Sequence, residues 1–100
     1  MSCYLTPLDV CIEIFGGRSE FECIVGSKPK SSYAWSRAAK YREAGDLPAY
    51  IQRRVMRHAR KIKLGEFQAL WLIEGSSRKI IEPAVMAVRD QAKRQRLAAE

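Results

Sequence analysis

The side chains of this sequence that can do chemistry are mostly cations, and they are concentrated. Residues 28–65 hold eleven basic side chains against two acids, Glu43 and Asp46, a net of +9. Residues 1–27 are net −3 and residues 66–100 net +1, so the middle segment carries more than the whole surplus of +7. Charge at this density repels itself and costs stability unless an anionic partner neutralises it. The commonest such partner is nucleic acid. Within the segment Arg53, Arg57, Arg60 and Lys61 recur at spacings of three and four, which lines them along one face of a helix. A charge run is ordinarily just a solvated face. Here, however, no acid stands anywhere between Leu47 and Gly65, and that favours phosphate contact. The late run Lys93-Arg94-Gln95-Arg96 is either a backbone-contacting arm or a frayed, solvated end.

Catalytic and metal-binding chemistry has little to stand on. His58 has no His, Cys or carboxylate at ligand spacing and reads as a surface or packing histidine, so no metal and no cofactor are expected. There is no Gly-rich phosphate loop, no paired carboxylates and no nucleophile elbow, so the chain is not expected to be an enzyme. Cys3, Cys11 and Cys23 are an odd number at wide gaps and read as small buried hydrophobes of a reducing compartment in preference to a disulfide. No apolar run approaches the roughly 20 residues of a membrane helix, and no secretory signal precedes the first periodic segment. A cytoplasmic, nucleoid-associated location without membrane contact is expected.

The elements that must position these cations follow from punctuation. One hundred residues, 47% of them hydrophobic, make one domain with one core. Thr6-Pro7 is an N-cap followed by proline at the first helical position, and Gly16-Gly17 can close the helix in the left-handed region, which predicts a helix over residues 7–15. The alternation of residues 11–15 would suit a strand, but the caps on both sides favour helix. Further helices are predicted over 19–25, closed by Gly26; from Pro29 through Trp35 and Arg37 towards Tyr41; from Asp46-Leu47-Pro48 to about Lys63; over 66–73; and from Glu82-Pro83 onward. Ile51, Val55, Ala59 and Ile62 form the inward stripe of the fourth, and Val85, Val88 and Ala92 that of the last. The expected fold is all-α, a compact bundle of five to six short helices. Residues 1–65 form its core, and residues 66–100 an extension packing on that core or on a partner. Phe67, Leu70, Trp71 and Leu72 put apolar groups on more than one face of the fifth helix, so either the last helix or a second subunit covers them.

Two short helices joined by a turn at Gly26, the second of them basic, make a helix-turn-helix pattern. Phe15-Gly16-Gly17, then Gly26, then Trp35, then Gly45-Asp46-Leu47-Pro48, resembles the Cro/C1-type helix-turn-helix family over roughly residues 8–63. The likeness is greatest to the small Cro-like (YdaS-like) regulators of prophages, and the 44–48 segment is similar to regulators of prophages and gene transfer agents. Glu22-Cys23 departs from that family's small packing residues, and the link from Trp35 to Pro48 is longer than usual.

In the register the resemblance implies, Lys28, Pro29 and Lys30 lie at the start of the recognition helix. Tyr33, Ala34 and Arg37 share its outer face, and Ser32 and Trp35 turn inward. Lys30 and Arg37 are then placed for guanine, and the Tyr33 ring for a thymine methyl or a phosphate. Arg18 and Ser19 begin the bracing helix, where the family meets the DNA backbone. Lys40 is also expected at the DNA, as are Arg53 and Arg57 on the basic face of the fourth helix. The expected function is a sequence-specific regulator of transcription on double-stranded DNA, with the recognition helix in the major groove. Homodimerisation on two half-sites is compatible with it. The alternative is a module that holds RNA polymerase, a sigma factor or another co-regulator.

Overall fold

A computed structural model describes residues 4–38 and 43–99, the last of these by its backbone alone. The order of elements is β1 (Tyr4–Leu5), α1 (Pro7–Phe15), α2 (Arg18–Ile24), α3 (Ser31–Trp35), α4 (Ala49–Lys61), α5 (Trp71–Glu74), β2 (Ser76–Ser77) and α6 (Arg78–Ala99). The protein is mostly helical, as expected. One pairing is new: β1 and β2 form a two-residue antiparallel ladder, Tyr4 opposite Ser77 and Leu5 opposite Ser76. Two residues per strand are too few to leave an alternating pattern in a sequence.

Residues 11–15 belong to α1, and the caps decide it. The Thr6 hydroxyl accepts from the Asp9 N–H at 3.3 Å, Pro7 stands in the first turn, and Gly16 closes the helix at φ 91°. α1 is the hub. Leu8, Val10, Cys11, Ile14 and Phe15 are all buried, and α2, α5 and α6 pack against it. One continuous core runs from Leu8 to Val85. An aromatic chain crosses it, with Phe15 stacked 6.1 Å from Phe67 and Phe67 meeting Trp71 edge-on at 5.4 Å.

Five expectations need correction. α6 begins at Arg78 rather than at Glu82-Pro83, and Pro83 lies inside it. Burial of Ile81 in the core, together with the Arg78–Glu13 ion pair at 3.5 Å, extends the helix N-terminally past the proline. Lys79, whose carbonyl loses its donor, is exposed and open to water. The fifth helix is only Trp71–Glu74; residues 64–70 reach the core through successive turns, including Phe67 N–H to Leu64 carbonyl at 3.2 Å. In α4, Pro48 occupies the N-cap instead of the first helical turn, and the Asp46 carboxylate accepts from the Glu43 N–H at 3.2 Å. Finally, Ala92 is exposed and Cys23 is exposed, the latter because Phe21, Glu22 and Val25 take the inward face of its segment. Cys11 is buried, and burial pushes its thiol pKa far up; Cys3 lies outside the described residues.

The segment leading into α4 is seated by Gly45. Its carbonyl accepts from the Leu8 N–H at 2.9 Å and its N–H donates to the Trp35 carbonyl at 3.0 Å, tying α1 to the end of α3. A Cβ on Gly45 would stand 2.5 Å from the Thr6 side chain.

Candidate nucleic-acid interface

α2 and α3 are held together by a buried polar cluster. Glu22, 6% exposed, points from α2 to the start of α3. Its Oε2 accepts from the Ser32 N–H at 2.9 Å and from the Ser32 hydroxyl at 2.7 Å. The Ser32 Oγ in turn accepts from Arg18 at 3.1 Å. Burial alone would raise the Glu22 pKa. The Ser32 hydroxyl, the backbone N–H groups of Ser32 and Lys30, and the Arg18 charge outweigh it, so the carboxyl lies below its ordinary value. The departure from small packing residues at Glu22 is therefore a charged staple across the turn. It also engages the Ser32 N–H at the start of α3.

Arg18 is the first residue of α2, and its guanidinium lies 4.2 Å above the Tyr33 ring centre. The structure thus brings together two of the candidates, one from each helix, in a cation–π contact that orients Tyr33, 51% exposed, outward. Ser19 is exposed on the first turn of α2, but Gly17 takes the N-cap. Lys28, Pro29 and Lys30 are exposed in the turn before α3 rather than in its first turn. Pro29 does not start the helix, because Lys28 accepts from the Ser31 N–H at 3.1 Å and from its hydroxyl at 2.7 Å, and Lys30 stands at φ 70° as the N-cap. Tyr33 and Ala34 are exposed on α3, whereas Ser32 and Trp35 are buried, Trp35 edge-on to Phe21 at 5.9 Å. Arg37 is exposed one residue past the C-cap, so α3 is shorter than expected and does not carry it. Lys40 and Arg42 lie outside the described residues.

α4 presents the predicted ridge. Ile51, Val55 and Ala59 are buried, Ile62 packs against the core, and Arg53, Arg54, Arg57, Arg60 and Lys61 are exposed on the opposite side. Among the described residues the one ion pair within 4.0 Å is Arg78–Glu13, so no described acid pairs with this ridge. Arg54 joins it to the helix pair: it donates to the Val25 carbonyl at the end of α2 at 2.8 Å, and its guanidinium lies 5.3 Å from the Tyr50 ring centre. Sequence reasoning missed Arg54, Tyr50, Glu22 and Ser32 as interacting residues. Two of these contacts had a signal, since Tyr50–Arg54 and Arg18–Glu22 are both pairs four apart on a helix. The Glu22–Ser32 bond had none.

His58 closes the far end of the ridge, edge-on to Phe15 at 5.5 Å and beside a small cleft lined by Ile24, Arg57 and Lys61. Partial burial first, and the Lys61 charge second, hold its pKa below the usual imidazole value. Among the described residues no group of His, Cys, Asp and Glu could hold a metal ion, and no helix is long and apolar enough to cross a membrane. Compared with protein-family models, with curated proteins and with solved structures, the chain has no match.

Proposed function

We propose that this chain is a non-catalytic regulator of transcription that binds double-stranded DNA sequence-specifically, working at the bacterial nucleoid. α3 and the turn before it enter the major groove, and the α4 ridge runs along the phosphates. The observation that carries the reading is the α4 face without an acid partner, tied through Arg54 to the carbonyl end of α2, beside a helix pair with Tyr33 exposed on α3, Lys28 and Lys30 exposed in the turn before it and Arg37 exposed just after it. Cations that are exposed and free of acids can replace the counterions of a duplex, and an exposed tyrosine braced by Arg18 is a rigid group to aim at a base edge. With about six phosphates neutralised, log Kd against log salt should have a slope of magnitude near 5. Arg57→Ala should reduce that slope by about 1 on every sequence, whereas Arg37→Ala should cost roughly 1–3 kcal/mol and relax one base position.

Selection of bound molecules from a random-sequence duplex pool at physiological salt tests the reading. An enriched motif supports it, and no retention at all refutes it. A second reading, a module that holds RNA polymerase or another regulator, draws support from Leu70 and Ile73, which stay 53% and 65% exposed on the same molecule. A protein partner retained after nuclease treatment would favour it.

A further inference from the structure

The other flank of the α4 ridge is a groove rather than a wall. A cleft of about 390 Å³ runs between α4 and the residues around α5, with Met56, Leu72 and Ile73 on its apolar side and Arg53, Arg57 and Arg60 on the other. Met56 and Arg60 also line a neighbouring cleft of about 330 Å³ that ends at Lys63 and Phe67, so the two form a trough along most of α4. A 13-residue helix is about 20 Å long, which is the span of three to four turns of a docked helix. Among the described residues no acid lines either cleft. A phosphate backbone has no use for an apolar floor, and Ile73 is too exposed to serve this chain's own core.

We propose that this trough docks an acidic amphipathic segment of a partner protein, its apolar stripe on Met56 and Ile73 and its carboxylates against Arg53, Arg57 and Arg60. Charge complementarity selects this occupant. Apolar contact supplies the area, and unneutralised arginines beside it reject cationic and favour anionic helices. The inference does not rest on the DNA reading: Arg53, Arg57 and Arg60 would serve both surfaces, whereas Met56 and Ile73 serve only this one.

The test uses a fluorescein-labelled 16-residue peptide with Leu and Phe along one helical stripe and Glu on its flanks, titrated with the full chain by fluorescence anisotropy. A matched peptide with Lys for every Glu is the charge control. The expected result is saturable binding of the Glu peptide only, weakened about tenfold or more by Ile73→Ser and by Arg60→Ala. Ile80→Ser, at an exposed isoleucine on α6, should leave it unchanged. DNA binding and melting temperature should also be unchanged in Ile73→Ser, which separates failure of the groove from failure of the DNA reading. Equal binding of the Lys peptide, or equal loss in Ile80→Ser, overturns the proposal. So does a shift of the free protein from dimer to monomer on Ile73→Ser, which would mean a second copy fills the trough.

Discussion

Glu22→Gln keeps the buried side chain's volume and removes its charge, so it isolates what the carboxylate does for the α2–α3 turn. Ser32 gives that carboxylate two hydrogen bonds, at 2.9 and 2.7 Å. A hydrogen bond to a charged group contributes about 1.5–3 kcal/mol and one to a neutral group about 0.5–1.5, so two bonds lose about 2 kcal/mol between them. For a domain of this size that lowers the melting temperature by roughly 8–16 °C. The effect must also depend on pH. The carboxyl's folded pKa lies below its unfolded value, so the unfolded chain takes up the proton first. The stabilisation is therefore complete above an unfolded pKa of about 4.3 and is lost as pH falls through the folded value. Urea unfolding followed by circular dichroism, for wild type and Glu22→Gln from pH 7 to pH 2.5, reads both quantities. The gap should be full at pH 7 and close at the acid end. A gap that stays constant with pH, or a Gln variant as stable as wild type at pH 7, would refute the account of the staple.

Three further outcomes are expected. Gly75→Ala should destabilise by about 3 kcal/mol or more, because φ is +75° and the new Cβ would stand 2.0 Å from the Leu5 carbonyl oxygen; Gly65→Ala, with open space around it, should melt within a few degrees of wild type. Lys63→Gly should raise the melting temperature by roughly 4–8 °C, since Lys63 follows the C-cap of α4 at φ 56°, where glycine is about 1 kcal/mol better; no increase in a thermal scan would count against that. The His58 pKa is lowered, so its neutral form stabilises the fold above an unfolded pKa of about 6.5, and that share is lost as pH falls through the folded value. Melting temperature between pH 7.5 and 5 should fall less in His58→Gln than in wild type.

Much of the scaffold was legible because local chemistry specifies it. Thr6-Pro7 and Gly16 satisfy the orphan groups at the two ends of α1 from within the same stretch of chain, and Ile51, Val55 and Ala59 recur at the helical period. The basic ridge of α4 was legible for the same reason, since spacing along one helix decides which side chains share a face. The limits of α3 and α6 were not. Pro29 and Pro83 are both acceptable at a helix start, but hydrogen bonds from Ser31 to Lys28 displace the first start forward, and burial of Ile81 against α1 moves the second back.

What the sequence determined by itself is therefore the class of fold, the inward stripe of α4 and the sign and face of its charge, all properties of neighbours along one helix. Only the tertiary structure decided the partners that come from different elements. Ser32 makes Glu22 a buried staple, Arg18 is shared between the Ser32 hydroxyl and the Tyr33 ring, and the Val25 carbonyl anchors Arg54. The residues around Ile73 open a groove beside the cations. Those pairings depend on how segments distant in the chain pack, and the periodicity of one helix carries no information about the face of another.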